Sequence, residues 1–281
     1  MAAHLSHIFF PSGFQELFSI WELFPEAVPC AGGTGFIREQ GRRIPVFPRD
    51  IISLNKIEEL RKISRTERYL EIGAMVKLNQ IINLGKVVPE AITRCLTLVA
   101  DLQVRNQATI GGNICFPSHK LDACAPMIAL DAKYELRTAT SSRWISASQF
   151  SSLAGPSALG SKELLTRIRV PLEPWTFTCC SKFHNAASNE GDGLILFIMR
   201  NQKNILAAIR IVYAGKKVLR EKNSETMFLG KRLPLDRRNA DALVDCWKSY
   251  LSGMETEESL TELTKTRISN FIKNMARHIS D

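Results

Sequence analysis

Two glycine-rich turns constrain this 281-residue chain more than any other feature. The first reads AGGTG at residues 31–35 and the second reads TIGGN at residues 109–113, and each follows an apolar or strand-like stretch. Because glycine lacks a Cβ, a ligand can approach its backbone closely and φ can turn positive. Successive N–H groups in such a turn form a concave array that suits phosphate oxygens, and two arrays on one ligand would hold a diphosphate from both sides. Many glycine turns only reverse the chain, so their spacing alone indicates phosphate binding weakly.

The motifs of several other protein classes are missing from the sequence. Neither turn is G-x-G-x-x-G or a Walker loop, which disfavours the nicotinamide-binding and nucleoside-triphosphate-binding folds. There is no HExxH motif, Ser-His-Asp pattern or pair of catalytic carboxylates, and the five histidines are not spaced as metal ligands. We therefore predict no catalytic side chain and no metal site.

Hydrophobic periodicity predicts both helices and strands. An apolar stripe with a spacing of three and four indicates a helix at residues 14–24. Alternating apolar and polar positions indicate strands at residues 69–74 and 166–170. Two strongly apolar strands follow at residues 194–199 and 205–213, and the remainder of the chain has helical periodicity.

A domain boundary is predicted where two prolines interrupt the pattern. Pro171 and Pro174 follow the last strand of the N-terminal part. The first predicted domain is 1–173. The second predicted domain is 174–281.

Charge and hydropathy narrow the set of partners. The net charge is +9, but Lys and Arg are dispersed and are not interleaved with aromatic residues. This pattern disfavours nucleic acid and favours a solvated surface or a face that docks an acidic partner. The longest apolar stretch, residues 194–199, is far shorter than the roughly 20 residues that span a bilayer. The N-terminal residues 4–10 also lack the features of a signal peptide, so we expect a cytoplasmic protein without a membrane partner.

The cysteines do not form a recognisable framework. Seven are present, an odd number, and no two are arranged as C-x-x-C. We expect reduced, partly buried thiols, and no zinc or iron–sulfur site made by this chain alone.

Five segments in a fixed order carry a resemblance to a known family. They are AGGT at 31–34, LEIGA at 70–74, RNQATIGGN at 105–113, Asp122 followed by Pro126 and ALDA at 129–132, and ELLTRIRVP at 163–171. They resemble the AGGTD, EIGA, RNxxTIGGN, D…P…ALDA and ELLTxIxIP segments in the flavin subunits of xanthine dehydrogenase and carbon monoxide dehydrogenase. The match covers nearly all of residues 5–230, and TIGGN preceded by RN is fairly specific.

The resemblance implies a fold and a set of cofactor-binding residues. The implied fold is of the α+β class: a PCMH-type FAD-binding domain of two α/β subdomains, which divide near residues 55–60, followed by a smaller domain of antiparallel sheet and helices. The two turns would hold the diphosphate of non-covalently bound FAD. Asp122 would contact FAD, Ile168 would pack near the flavin, and Lys182 would lie at its pyrimidine edge. Carried over position by position, the predicted FAD-binding residues are Pro29, Cys30, Ala31, Gly32, Gly33, Thr34, Gly35, Phe36, Thr109, Ile110, Gly111, Gly112, Asn113, Asp122, Ile168 and Lys182.

Some assignments have simpler alternatives, and the chain departs from the family at three places. Pro126 sits one residue later after Asp122 than in the family, although the register recovers at Asp131. Asp122 could cap a helix at 123–130, Ile168 could be ordinary core, and Lys182 could be a surface lysine. Gly35 stands where the family usually has an acidic residue. Ala186 stands where a basic residue commonly follows the lysine.

The family's chemistry is divided among subunits. By resemblance, this chain would be the FAD-binding electron-transfer subunit of a molybdopterin-dependent hydroxylase. It would take electrons from iron–sulfur clusters of one partner and pass them to NAD or another acceptor. Molybdopterin and [2Fe–2S] clusters would be present only on partner subunits. The alternatives are a stand-alone FAD-dependent oxidoreductase of the same fold, a flavin-poor scaffold subunit, and a nucleic-acid module supported by charge alone.

Overall fold

The computed structural model describes residues 7–41, 46–116, 122–152, 159–184, 191–215, 217–254 and 260–280. The chain divides into two compact units, each discontinuous in sequence. The first unit comprises the described residues within Met1–Val88, Val99–Ser118 and Leu130–Leu172. The second comprises the described residues within Pro89–Leu98, His119–Ala129 and Glu173–Asp281. Two short segments from the N-terminal half of the chain therefore belong to the C-terminal unit.

Strands and helices follow one another along the chain without a fixed alternation. The strands are β1 (His7–Phe9), β2 (Val28–Cys30), β3 (Asp50–Ser53), β4 (Ile63–Arg65), β5 (Tyr69–Gly73), β6 (Lys133–Arg137), β7 (Ser142–Ser146), β8 (Leu164–Pro171), β9 (Phe177–His184), β10 (Gly191–Gln202), β11 (Ile205–Gly215) and β12 (Val218–Arg220). The α-helices are α1 (Phe14–Leu23), α2 (Thr34–Gln40), α3 (Leu78–Asn83), α4 (Glu90–Thr97), α5 (Leu102–Gln107), α6 (Ile110–Ile114), α7 (Cys124–Ala129), α8 (Ala147–Ser152), α9 (Lys222–Met227), α10 (Arg237–Ser252) and α11 (Glu262–His278).

The N-terminal part of the first unit is a small parallel sheet. Its three strands lie in the order β1-β3-β2. Parallel strands cannot be joined by a tight turn, so α1 connects β1 to β2 and α2 connects β2 to β3. The predicted apolar stripe of α1 is confirmed, because Leu17, Phe18 and Trp21 are buried. The first glycine turn directly follows β2, at the carboxyl end of an edge strand.

The rest of the first unit is built on a five-stranded antiparallel sheet in the order β4-β5-β8-β6-β7. Ile168 of β8 pairs in register with Ile72 of β5 and Tyr134 of β6, and these three side chains have no exposed surface. The alternate positions face away from this core. There, Arg167 and Glu71 form an ion pair at 2.9 Å. The alternation that predicted strands at residues 69–74 and 166–170 is thus the difference between the two faces of one sheet.

The second unit places helices on both faces of the antiparallel sheet β12-β11-β10-β9. On one face, Phe197 of β10 packs in a single buried cluster with Trp247 of α10 and Ile268 of α11. On the other face, α4 contacts β9 and β10, and α7 contacts β10 and β11. Because both faces are covered, β10 is apolar at consecutive positions and does not alternate.

The predicted mixture of helices and sheets is confirmed. Residues 194–199 and 205–213 lie within β10 and β11, and the C-terminal residues are helical as their periodicity predicted. Within the described ranges, no helix is long and apolar enough to cross a membrane.

Candidate functional site

The first glycine turn leads from β2 into α2. Gly33 is the N-cap of this helix and has φ of +70°, a conformation that favours glycine. No side chain caps the helix. The first amides of a helix lack acceptors within the helix itself. The backbone N–H groups of Thr34, Gly35 and Phe36 are therefore the donors that this turn can offer to a ligand.

The second glycine turn is not an open loop but the first turn of α6. Thr109 is the N-cap, and its hydroxyl accepts from the amide of Gly112. The amides of residues 110, 111, 112 and 113 all donate within the protein. Their acceptors are, in that order, the Val76 carbonyl (2.9 Å), the Ala74 carbonyl (2.9 Å), the Thr109 hydroxyl (3.1 Å) and the Thr109 carbonyl (3.0 Å). The second turn therefore differs from the first, because its four amides already have acceptors within the protein.

The two turns lie against each other in the first unit. A Cβ placed on Gly32 would be 2.1 Å from the carbonyl oxygen of Gln107 and 3.3 Å from Cα of Ala108. A Cβ placed on Gly112 would be 3.8 Å from Cβ of Ala31. The close approach at Gly32 is possible only without a side chain. By contrast, a Cβ on Gly33 would meet no protein atom within 4 Å.

The segment before the second turn is held by polar side chains that the sequence patterns did not single out. The ammonium of Lys77 donates to the Gln107 carbonyl at 2.9 Å, and the backbone of Lys77 pairs with Thr109. Burial lowers the pKa of Lys77, and the nearby charge of Arg61 lowers it further. One guanidinium nitrogen of Arg105 donates to the carbonyl of Val99 at 2.8 Å and to that of Ala100.

A second steric contact between the two turns involves Gly35. A Cβ placed on Gly35 would be 2.4 Å from one ring carbon of Phe116 and 2.6 Å from another. Phe116 follows α6 and is buried. The ring thus occupies the space that a larger residue at position 35 would need, which gives a physical reason for glycine where the family usually has an acidic side chain. No motif in the sequence connected these two positions.

Ile168 lies in the core of the first unit and has no exposed surface. Its register partners, Ile72 and Tyr134, are equally buried. This environment agrees with the simpler alternative, that the side chain is ordinary core. Any influence of Ile168 on a ligand would act through packing of the sheet.

Asp122 and Lys182 form a partly buried ion pair in the second unit. The Lys182 ammonium lies 2.7 Å from Oδ2 of Asp122, and it also donates to the Leu98 carbonyl at 3.1 Å. The side chains of Lys182 and Asp122 are 18% and 11% exposed. Lys182 is therefore not a surface lysine. Helix α7, which Asp122 was alternatively expected to cap, begins at Cys124.

The predicted residues thus fall into three groups. The turns at 29–36 and 109–113 come together in the first unit, Ile168 belongs to that unit's sheet core, and Asp122 pairs with Lys182 in the second unit. Ala186 lies outside the described residues. Lys77 and Phe116 also contact this region but were not predicted from the sequence. Lys77 lies four residues after Gly73, and no pattern in the sequence indicates that it hydrogen-bonds the segment before the second turn.

Comparisons with known proteins agree on the kind of protein that this chain resembles. A family model for the FAD binding domain in molybdopterin dehydrogenase matches residues 4–173. The glyceraldehyde dehydrogenase medium chain of Sulfolobus acidocaldarius is 27% identical over 225 residues, which cover 78% of this chain and 79% of that one. The xanthine dehydrogenase FAD-binding subunit of Escherichia coli is 29% identical over 153 residues, which cover 53% of this chain and 52% of that one.

A solved structure shows the same fold. Reconstituted CO dehydrogenase from Oligotropha carboxidovorans contains a chain that superposes with a TM-score of 0.81, with 98% of this chain and 97% of that chain covered. The sequence identity is 20%, so the likeness concerns the fold. The predicted α+β, PCMH-type FAD-binding fold with an antiparallel C-terminal sheet is confirmed.

Proposed function

Because this chain belongs to the family of FAD-binding domains in molybdopterin dehydrogenases, we propose that it is the electron-transfer subunit of a molybdenum-dependent hydroxylase. It receives electrons from iron–sulfur clusters of one partner chain and passes them to NAD or another acceptor. A single observation carries the assignment of the site: the two glycine turns adjoin at Gly32, where a Cβ would lie 2.1 Å from the Gln107 carbonyl oxygen.

The residues of the turns fit the diphosphate of FAD. The close contact at Gly32 fixes the position of the first turn, while the backbone at Gly33 can be approached because a Cβ there would meet no protein atom within 4 Å. The N–H groups of Thr34, Gly35 and Phe36 would donate to the phosphate oxygens. Pro29, Cys30 and Ala31 would set the direction of the turn as it leaves β2.

The second turn has a different role in this proposal. Thr109, Ile110, Gly111 and Gly112 would support the first turn by close packing, with Asn113 as the polar side chain of the segment. Their amides have protein acceptors and are not assigned to the ligand. Rigid support of this kind lowers the entropy cost of holding a ligand.

Asp122 and Lys182 are proposed to tune the flavin. FAD, when bound, supplies the two-electron chemistry that side chains lack. A lysine ammonium has three N–H groups, and Asp122 and Leu98 accept two of them. The third is assigned to the flavin ring. Because Asp122 is 2.7 Å away, it offsets part of the positive charge of Lys182. Ile168 is assigned to the sheet core that supports the site, not to direct contact.

The partners are proposed from the names of the relatives. The Sulfolobus acidocaldarius relative is a medium chain, and the Escherichia coli relative is an FAD-binding subunit. By analogy, this chain would assemble with an iron–sulfur subunit and a molybdopterin-binding subunit.

Titration of the purified chain with flavins tests the cofactor assignment. We expect FAD to bind and riboflavin, which lacks the diphosphate and adenosine, to bind at least about tenfold more weakly, a difference of about 1.4 kcal/mol. Fluorescence quenching and the visible spectrum measure both constants. A folded chain that binds neither flavin would overturn the proposal. Equal affinity for the two flavins would contradict the proposal that the turns bind the diphosphate.

Gentle purification from the native source tests the subunit role. We expect an iron–sulfur protein and a molybdopterin protein to co-elute with this chain in constant ratio, and reduction of the iron–sulfur clusters to bleach the flavin absorbance. A flavin-containing chain that runs alone and turns over a substrate by itself would support the stand-alone oxidoreductase instead.

A further inference from the structure

The outward face of the five-stranded sheet in the first unit carries charged and aromatic side chains. On β5, β6, β7 and β8, the positions that alternate with the buried core point to this face. Their charged and aromatic side chains, which we call the arginine face, are Tyr69, Glu71, Lys133, Glu135, Arg137, Trp144, Arg167 and Arg169. Tyrosine, tryptophan and arginine dominate the binding energy of protein interfaces. The composition of this face is therefore typical of an interaction surface.

The positive charges of the arginine face are more exposed than the negative ones. The side chains of Arg167 and Arg169 are 46% and 36% exposed. Those of Glu71 and Glu135 are only 17% and 15% exposed. A partner that approaches this face therefore meets mainly positive charge, which complements an acidic surface.

The two central arginines are held in place within the first unit. Glu71 accepts hydrogen bonds from Arg167 at 2.9 Å and from Arg169 at 2.7 Å. The guanidinium carbon of Arg169 also lies 4.2 Å from the centre of the Trp144 ring and 5.6 Å from that of Tyr69. Burial alone would raise the pKa of Glu71, but the hydrogen bonds from the two arginines lower it, so the carboxylate stays charged at neutral pH. Side chains that are already fixed lose less conformational entropy when a partner binds.

A cleft of about 700 Å³ shares residues with the arginine face. Lys62, Arg137 and Arg167 line it, together with the carboxylates of Glu59 and Glu71. Glu71 is already bound to the two arginines, and Glu59 is exposed. Within the described ranges, neither Lys62 nor Arg137 forms an ion pair. These two cations can therefore accept a carboxylate that another chain supplies.

The ring contacts disfavour a nucleic acid on this surface. Bases bind to such faces by stacking on free aromatic rings. The guanidinium carbon of Arg137, however, lies 4.3 Å from the centre of the Phe14 ring. The guanidinium of Arg169 covers Trp144 in the same way. The two carboxylates of the face would also repel the continuous charge of a phosphate backbone, whereas a peptide with separate carboxylates can avoid them.

We propose that the arginine face and the cleft that adjoins it form a docking surface for an acidic segment of another protein chain. Carboxylates of that segment pair with Lys62, Lys133 and Arg137. The fixed guanidinium groups of Arg167 and Arg169 form the centre of the contact. This surface uses none of the residues assigned to FAD, so its test is independent of the proposed function.

Binding of an acidic peptide to the full chain tests the surface. The probe is a short fluorescein-labelled peptide in which glutamate alternates with glycine. The same peptide with glutamine in place of glutamate is the neutral control, and an oligothymidylate of equal charge represents nucleic acid. Fluorescence anisotropy should show that the acidic peptide binds at least about tenfold more tightly than the neutral one. Added salt should weaken its binding.

The peptide is titrated with and without saturating FAD, and the two affinities should agree. A chain that fails to bind FAD would still give a readable peptide titration, so the two proposals fail separately. Displacement of the peptide by FAD would place the peptide at the cofactor site and would overturn the docking surface.

A double variant and a matched control locate the contact. Lys133→Gln with Arg137→Gln removes two exposed cations from the arginine face. Arg238→Gln with Lys273→Gln removes the same two residue types from exposed positions of α10 and α11 in the second unit. We expect the first double variant to bind the acidic peptide about fivefold more weakly, and the control to change by less than about twofold. Circular dichroism checks that both are folded.

Protection of lysines in the wild type needs no variant. The chain is acetylated with and without the acidic peptide, and mass spectrometry follows each lysine. Lys62 and Lys133 should be protected by the peptide, whereas Lys273 should react at the same rate in both samples. An equal loss of affinity in the two double variants, tighter binding of the oligothymidylate than of the peptide, or unprotected Lys62 and Lys133 would overturn the proposal.

Discussion

The two glycine turns look alike in sequence but use their backbones in opposite ways. The first turn, which begins α2, has no side-chain cap and leaves its leading amides without intrahelical acceptors. The second turn, which begins α6, is capped by Thr109, and the amides of residues 110–113 all donate within the protein. Similar runs of glycine therefore leave the leading amides without an intrahelical acceptor in the first turn and fully hydrogen-bonded in the second.

The difference shows what glycine provides in each turn. At Gly33 it provides a positive φ and an accessible backbone. At Gly111 it provides room, because a Cβ there would lie 2.7 Å from Cβ of Ala74 and 2.8 Å from its carbonyl oxygen. Gly32 joins the two roles, since it belongs to the first turn but packs on Gln107 of the segment before the second. Substitutions that separate the turns should therefore have larger effects on FAD than substitutions within either one.

The largest effect is expected from Gly32→Ala. A single methyl group collides with the Gln107 carbonyl, and backbone atoms cannot rotate away as a side chain can. We expect the free energy of unfolding to fall by about 1–3 kcal/mol and FAD affinity to fall by about 10- to 100-fold. Urea unfolding and FAD titration measure the two quantities.

Gly253→Ala is the matched control for this substitution. Gly253 caps α10 with φ of −72°, and the nearest atom to an added Cβ would be 3.4 Å away. Its replacement should leave FAD affinity unchanged. If Gly32→Ala bound FAD as the control does, the contact between the turns would have no part in the cofactor site.

A smaller effect is expected from Gly35→Asp, which introduces the acidic residue typical of the family. The new Cβ overlaps the Phe116 ring, and the free energy of unfolding should fall by about 1–2 kcal/mol. In the double variant with Phe116→Ala the overlap disappears. We expect the two substitutions to couple by at least about 0.5 kcal/mol in a double-mutant cycle measured by urea unfolding. Additive effects would mean that the ring moves aside freely and does not account for glycine at position 35.

Local features of this fold could be predicted from the sequence, because they depend on residues close together along the chain. The alternation of Thr166, Ile168 and Val170 with two arginines follows from one buried and one wet face of β8. The stripe of α1 follows from a single buried face. In each case the spacing of the apolar residues places them on one buried side of the element, and the polar residues lie on the exposed side.

Other features depend on contacts between distant residues, and no local pattern specifies them. α4 and α7 pack on the C-terminal sheet although they precede it by many residues. The glycine motif indicated that the backbone of residues 31–35 can be approached closely, but not that the Gln107 carbonyl approaches it at Gly32. The partly buried ion pair of Lys182 with Asp122 likewise joins positions that periodicity does not connect.

The smallest effect on FAD is expected from Thr109→Val, and this variant tests the comparison between the turns most directly. Valine has a similar shape but cannot accept from the Gly112 amide, so the free energy of unfolding should fall by about 1 kcal/mol. Thr109→Ser keeps the hydroxyl and should restore most of the loss. If the amides of the second turn serve only the protein, urea unfolding should show the same loss with and without saturating FAD. If FAD used the Gly112 amide, the ligand would replace the missing hydroxyl, and the loss would shrink or vanish in the saturated protein. A loss that depends on FAD in this way would contradict the assignment of the second turn to packing.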